Sequence, residues 1–315
     1  MRKIVLILML FYGSLATAQQ EAMYTHYMYN LMAVNPAYTG YENQMTATLI
    51  HRSQWLSIPG APVFQTFSIQ APTSKNVGVG FSFVNDRVGP ERNIAIKAYY
   101  SYTIRSEKKL KISFGLKAGL NMLQIGLTDL TLDNPDDPAF KNNIESTYLP
   151  NFGFGVFAYT DHYYFGFSVP DLIQHDYLHN TIFSSSDLSL QSNKYYFLGG
   201  ATYALTERVL IKPSGFVSLY KSKDDQSLTA EADLSSLFII DNKFAGGLMF
   251  RSKGAMAFLV GIMLTQELEF GYSYDMLITN KNAIYNGGGH EVILKYNFKN
   301  KKRNQKDITA CSAFQ

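Results

Sequence analysis

The sequence predicts an all-β protein: a transmembrane antiparallel β-barrel of about fourteen strands, preceded by a short segment with helical spacing. Three observations carry this. Apolar residues make up 46% of the 315 and charged residues only 17%, against roughly 25% charged in an average soluble domain. The aromatics are 22 Tyr and 22 Phe with a single Trp, and Tyr and Phe favour strands. Alternation of period two recurs along the chain, and it returns charges to one face again and again.

The elements follow in order. Met1-Arg2-Lys3, the apolar run Ile4 to Tyr12 and Ala16-Thr17-Ala18 before Gln19 read as an export signal over residues 1–18. The competing reading is a buried N-terminal helix. No cysteine follows the apolar run, which argues against a lipid anchor. Residues 19–43 form a periplasmic or plug segment. Met23, Tyr24, Tyr27, Met28, Leu31 and Met32 recur at helical spacing, and the chain breaker Asn35-Pro36 ends the pattern. Two placements stay open, a plug in the barrel and a short helix on the periplasmic rim.

The barrel is expected over residues 44–298. Its strands read as Gln44–Gln54, Pro62–Ala71, Asn76–Asp86, Arg92–Arg105, Lys109–Leu127, Pro150–Thr160 and His162–Pro170. The second half reads as Asn193–Leu205, Glu207–Tyr220, Ser227–Phe238, Asp241–Arg251, Gly254–Leu264, Gln266–Met276 and Gly289–Phe298. In the fifth, Leu110, Ile112, Phe114, Leu116, Ala118 and Leu120 oppose Lys111, Ser113, Gly115, Lys117, Gly119 and Asn121. Elsewhere Glu231 and Asp233, and likewise Glu267, Glu269 and Asp275, fall on the face opposite the apolar one. A soluble sandwich would keep that face wet and carry more Lys and Glu. A membrane barrel turns the apolar face to lipid and encloses the polar one, with aromatics at both interfaces. Tyr99, Tyr100, Tyr102, Tyr159, Tyr163, Tyr164, Tyr195, Tyr196, Phe197, Tyr220, Tyr272, Tyr274, Tyr296 and Phe298 are read as those interface aromatics. After residue 18, no uncharged apolar stretch approaches the ~20 residues of a spanning helix.

An even strand count suits a single-chain outer-membrane barrel, in which short turns face the periplasm and longer loops face outside. The long linkers Thr128–Leu149, Asp171–Ser192 and Leu277–Gly288 all follow odd-numbered strands, so all three fall at one end. Residues 299–315 are a basic polar tail that holds Cys311, the sole cysteine. The formal net charge of +3 comes from the two ends. Without Arg2, Lys3 and the five basic residues of the tail, the body is mildly negative and has no nucleic-acid footprint.

No enzymatic constellation stands out, so no catalytic, cofactor or metal residue is assigned. Ser168 and Ser273 lack the second glycine of a nucleophile elbow. Ser273, Asp275 and His290 could approach one another on neighbouring strands, but lumenal polar residues more often satisfy one another. Asp129, Asp133, Asp136 and Asp137 lack calcium-loop spacing, and His175 and His179 sit in a loop without helix geometry.

The run Asn35-Pro36-Ala37-Tyr38-Thr39-Gly40, followed by Arg52, Gln54, Trp55 and Gly60-Ala61-Pro62, resembles the N-terminal signature of the PorP/SprF family of type IX secretion system membrane proteins. Tyr203-Ala204-Leu205-Thr206, Lys212-Pro213-Ser214, Gly271-Tyr272-Ser273-Tyr274-Asp275 and Gly288-Gly289-His290-Glu291 resemble its later blocks in the same order. The resemblance spans nearly the whole chain, with the basic tail as a departure. It implies an exported, non-enzymatic protein of a Gram-negative outer membrane that binds, anchors or helps display secreted cargo such as gliding adhesins. Its implied partners are the C-terminal domain of a secreted adhesin or other cargo, periplasmic parts of the secretion or gliding machinery, and outer-membrane lipid. The alternative is a passive channel or hydrophobic-ligand transporter. The signature residues Asn35, Pro36, Gly40, Arg52, Gln54, Trp55, Tyr274, Asp275, His290 and Glu291 are structural or partner-binding. On the structural reading, Asn-Pro with a following Gly makes a turn, and Arg52 either stacks on Trp55 or pairs inside the lumen.

Overall fold

The computed structural model describes residues 25, 27–42, 44–56, 58–105, 110–130, 142–173, 194–221, 227–278 and 288–298. The leader, Met23, Tyr24, Asp133, Asp136, Asp137, His175, His179 and the tail with Cys311 lie outside the described residues.

Fourteen strands form one sheet. They are β1 Thr46–Gln54, β2 Val63–Pro72, β3 Val77–Val88, β4 Glu91–Arg105, β5 Lys111–Ile125, β6 Ile144–Tyr159 and β7 Tyr163–Val169. Then come β8 Tyr195–Ala201, resuming after Thr202 as Tyr203–Ala204, β9 Val209–Lys221, β10 Leu228–Ile240, β11 Phe244–Arg251, β12 Ala255–Met263, β13 Leu268–Leu277 and β14 Gly289–Asn297. Each strand is antiparallel to its sequence neighbours, and β14 returns to β1 with Leu49 opposite Leu294. The sheet therefore closes into a ring, as a membrane barrel must. Among the described residues, no helix is long and apolar enough to cross a bilayer.

The two faces divide as the alternation requires. On β5, Phe114 and Leu116 are 47% and 61% exposed, while Ser113 and Lys117 on either side of them are buried. On β13, Glu269, Ser273 and Asp275 are buried on the inner face. The aromatic assignment needs correction. Tyr99, Tyr159 and Tyr164 are buried and face inward, whereas Tyr100, Tyr102 and Tyr163 are exposed. Side chains alternate along a strand, so Tyr99-Tyr100 and Tyr163-Tyr164 necessarily split, one ring to each face.

Strand β6 begins at Ile144, six positions before the expected Pro150, so the linker ahead of it is shorter than read. Leu123 pairs with Thr147, the register then shifts, and Ile125 pairs with Ile144. Strand β7 reaches only as far as Phe154. Among the described residues, 144–153 thus have a strand neighbour on one side only, where a proline forfeits no second ladder.

Three turns at the end opposite the long linkers share one device. The hydroxyls of Thr160, Thr206 and Thr265 accept backbone N–H bonds from Tyr163, Val209 and Leu268, each at 3.1 Å. A threonine that closes its own turn supplies the local acceptor a tight hairpin needs. The β10–β11 turn instead uses Asp241 and Asn242 at φ 54° and 51°, the left-handed pair that matches strand twist.

Candidate functional site

An eight-stranded barrel can be filled by its own side chains, whereas one of fourteen is wider and needs another occupant. That occupant is the N-terminal segment. It runs through a 3-10 turn Tyr27–Tyr29, one α-helical turn Leu31–Val34 and a second 3-10 turn Pro36–Tyr38. Helical spacing in the sequence is realised as three short turns because Asn35 precedes a proline. That position disfavours the helical conformation, and Asn35 adopts φ −133°, ψ 110°. Its Oδ1 accepts from the Ala37 N–H at 2.9 Å and caps the next turn.

The segment meets the wall all the way round. Val34 O accepts from Ser168 Oγ of β7 at 2.8 Å, and Thr39 O from Ser101 Oγ of β4 at 2.6 Å. Asn35 Nδ2 donates to Val156 O of β6 and Phe167 O of β7 at 3.0 and 3.2 Å. Gly40 N–H donates to Gln70 of β2 at 3.0 Å, and the Tyr27 hydroxyl lies 3.1 Å from Ser214 Oγ of β9. A Cβ at Gly80 of β3 or Gly115 of β5 would strike Met32 or Ala37. On the remaining side, Leu198, Leu237, Met249, Leu259 and Ile293 join Tyr27, Met28, Leu31 and Met32 in one apolar cluster. A stretch that touches staves on all sides of a closed ring lies inside it. The segment is a plug, and the rim-cap placement is overturned.

An ion cluster receives each end of the plug. Toward the long-linker end, Arg52 of β1 pairs with Asp275 of β13 at 2.5 Å and Glu291 of β14 at 3.1 Å. Arg251 of β11 lies 3.5 Å from both Asp233 of β10 and Asp275. Thr25 sits in their midst. Its hydroxyl donates to Asp275 at 2.6 Å and accepts from Arg52 and Arg251 at 2.6 and 3.1 Å, while its N–H donates to Glu291 at 3.1 Å.

Toward the short-turn end, Glu42 Oε1 accepts from Lys295 Nζ of β14 at 2.8 Å and from the Tyr38 hydroxyl at 3.0 Å. Both ions of this pair are at most 2% exposed. Beside them Asn297 Nδ2 donates to Glu269 at 2.7 Å. Between Thr25 and Glu42 the described segment has no charged side chain. Burial pushes the Tyr27 and Tyr29 phenols above their ordinary value, so both stay neutral.

The two anchors differ in kind. At Thr25 the wall supplies every charge, two arginines against three carboxylates, and the plug adds an uncharged hydroxyl and N–H that bond to those ions, each such bond worth about 1.5–3 kcal/mol. At Glu42 the plug supplies one ion of a buried pair, and breaking such a pair costs about 3–5 kcal/mol. The lower half of the plug is also keyed into a glycine-lined wall. A Cβ at Gly115 would run into Pro36 and Ala37, and one at Gly155 into Asn35. Gly40, at φ 72°, lies against Gly78.

The signature residues divide by position. Asn35, Pro36 and Gly40 are plug residues, and Arg52, Asp275 and Glu291 form the upper ion cluster, so Arg52 pairs with acids inside the lumen. Gln54 and Trp55 stand at the rim. There the Gln54 N–H meets Pro62 O at 3.0 Å, and the Trp55 N–H meets Gly288 O at 2.8 Å, with Trp55 at φ 50°. Tyr274 and His290 lie on the outer face, where His290 Nδ1 is 2.8 Å from the Tyr272 hydroxyl and its ring 5.1 Å from that of Tyr274. His290 is thus across the sheet from Ser273 and Asp275, which removes the triad geometry. Among the described residues no cluster of three or more His, Cys, Asp or Glu could hold a metal. Sequence reasoning missed Thr25 and Arg251 in the cluster at the long-linker end and Glu42 and Lys295 in the pair at the short-turn end. The parity of Arg251 and Lys295 on their strands was the available signal.

A family model described as type IX secretion system membrane protein PorP/SprF matches residues 16–296. A search of curated proteins found no match. Among solved structures, a Pseudomonas aeruginosa FadL homologue is similar at 12% identity and TM-score 0.45, over 85% of this chain and 94% of that one. The Pseudomonas putida toluene transporter TodX is similar at 9% identity and TM-score 0.46, over 87% and 94%. The KdgM porin is similar at 9% identity and TM-score 0.39, over 81% and 99%.

Proposed function

We propose, from the premise that the chain belongs to the PorP/SprF family of type IX secretion system membrane proteins, that it is a non-enzymatic outer-membrane component that binds, anchors or helps display secreted cargo such as gliding adhesins. The observation that carries this reading is the filled lumen. A bore occupied by the chain's own segment offers cargo no passage, so the surfaces left for partners are the two ends. The long-linker end faces outside, following the loop asymmetry of such barrels, and receives the C-terminal domain of a cargo protein. The short-turn end faces the periplasmic components of the machine. Residues 1–18 direct export and are removed at Ala18.

Two measurements test the reading. Pull-down with the cargo's C-terminal domain should retain the detergent-solubilised barrel, and a deletion strain should lose surface display of that cargo. Normal display without the protein would overturn it. Under the channel alternative, the purified wild-type barrel would conduct steadily in planar bilayers. The filled lumen favours silence.

A further inference from the structure

We propose that Arg87 and Arg92, on the outward face of β3 and β4, form a clamp for the phosphate of an anionic lipid in the leaflet at the long-linker end. The clamp rests on the outer-membrane reading of the barrel and does not depend on cargo binding.

The first support is the pairing of the two side chains. Arg87 and Arg92 are directly opposite in the β3–β4 ladder, which sets their Cβ atoms about 5 Å apart. Alternation turns both outward, on the same face as Phe83 and Ile96, and both are exposed. Like charges directly opposite weaken a ladder, and an anion held between them replaces that repulsion with two attractions. Arg92 Nε donates to Asn85 Oδ1 at 3.0 Å, which fixes one edge of its guanidinium. Neither arginine belongs to an ion pair among the described residues.

The second support is the charge around them. The outward positions of β13, β14 and β1–β5 hold no carboxylate, and their only arginines or lysines are Arg87 and Arg92. Asp86 and Glu91, the acids beside them in sequence, have the lumenal parity. This sector therefore shows the lipid side a cationic spot without a counter-ion. Guanidinium forks match phosphate oxygens two at a time, so a phosphate is the anion that such a pair holds best.

The third support is the depth at which the pair stands. Arg92 ends a hydrogen-bonded polar row across the outward face of four strands. Ser53 Oγ lies 3.0 Å from His51 Nε2, His51 Nδ1 lies 3.3 Å from Gln65 Nε2, and Asn85 Nδ2 donates to Gln65 Oε1 at 3.0 Å. One outward position nearer the short-turn end, the same strands carry the exposed Leu49, Phe67 and Phe83, with Ile94 below Arg92. One such step is about 7 Å along a strand, and less along the axis of a tilted barrel. A headgroup layer is about 5–7 Å deep on each side of the bilayer. Arg92, one step past the last aliphatic residue, thus stands at the level of lipid phosphates, and Arg87 opposite it shares that level.

The test uses the full chain refolded in detergent, confirmed as folded by heat-modifiable gel mobility, and counts bound lipid by native mass spectrometry. Wild type should retain dioleoyl phosphatidic acid in preference to dioleoyl phosphatidylcholine, whose headgroup has no net charge. Arg87→Gln/Arg92→Gln should weaken phosphatidic acid binding about tenfold. Lys75→Gln/Lys243→Gln removes the same charge from exposed positions at the short-turn end and should leave binding unchanged. Inorganic phosphate in large excess should not displace the lipid, because the acyl chains add contact with the apolar band. If the double arginine variant does not fold, Arg87→Gln alone is measured in its place and should weaken binding severalfold. The clamp is overturned if the folded arginine variant binds phosphatidic acid as wild type does, or if the short-turn variant loses as much. Displacement by inorganic phosphate would overturn a lipid as the occupant. The measurement contains no cargo, so a failed cargo pull-down leaves its outcome untouched.

Discussion

The two sides of the lumen hold the same segment by opposite means. Strands β3–β7 present glycines and serines, so the plug's backbone lies directly on the wall and hydroxyls reach its carbonyls. Strands β10–β14 with β1 present ions and aliphatic side chains, so the plug meets charges at its ends and oily packing between. One side specifies position through shape and the other through charge. The difference teaches that a wide barrel can be filled without a single uniform core. Small residues bring the wall to the plug, and buried ions fix where along the axis the plug stops.

Substitutions on the ionic side should have the largest effect. Lys295→Met removes the ammonium that Glu42 bonds at 2.8 Å and should lower unfolding free energy by about 3–5 kcal/mol. Adding Glu42→Gln should restore most of that loss. Urea titration of the refolded barrel in liposomes measures both, and an additive double variant would break the comparison. Next, Gly115→Val puts a side chain where Pro36 and Ala37 lie. Overpacking should cost about 1–3 kcal/mol and should increase protease access to the plug, read by mass spectrometry of the digest. A stable, protected variant would show that the glycine wall is not a template.

Asn35→Ala removes bonds to Val156 O, Phe167 O and the Ala37 N–H. About 2 kcal/mol should be lost, since two strand carbonyls lose a buried donor. Amide exchange in the plug should rise with it, and unchanged exchange would place the keying elsewhere. Thr25→Ala removes hydroxyl bonds to Arg52, Arg251 and Asp275, but those ions keep one another as partners across the wall, so about 2 kcal/mol should go. A loss as large as that of Lys295→Met would erase the distinction between the two anchors.

Much of the wall was legible beforehand. The alternation in β5 placed Lys117 inward and Leu116 outward, and the same parity placed Glu269 and Asp275 in the lumen, as found. Parity is local, because each strand residue's facing follows from its neighbours in sequence. Linker lengths likewise put the long connections at one end. The start of β6 was misread because Pro150 looked like a boundary, and only the absence of a β7 partner there explains its tolerance.

The sequence by itself determined the strand count, the two faces and the break at Asn35-Pro36, all of which follow from residue type and near-neighbour spacing. Tertiary structure alone decided that residues 27–42 fill the bore, that the inward-facing Tyr99 and Tyr159 pack in one cluster with that filling, and that Arg52, Asp275 and Glu291 meet around Thr25. Arg52 and Glu291 are 239 positions apart. No spacing rule reaches that far. They meet because β14 closes on β1, and closure is a property of the whole ring.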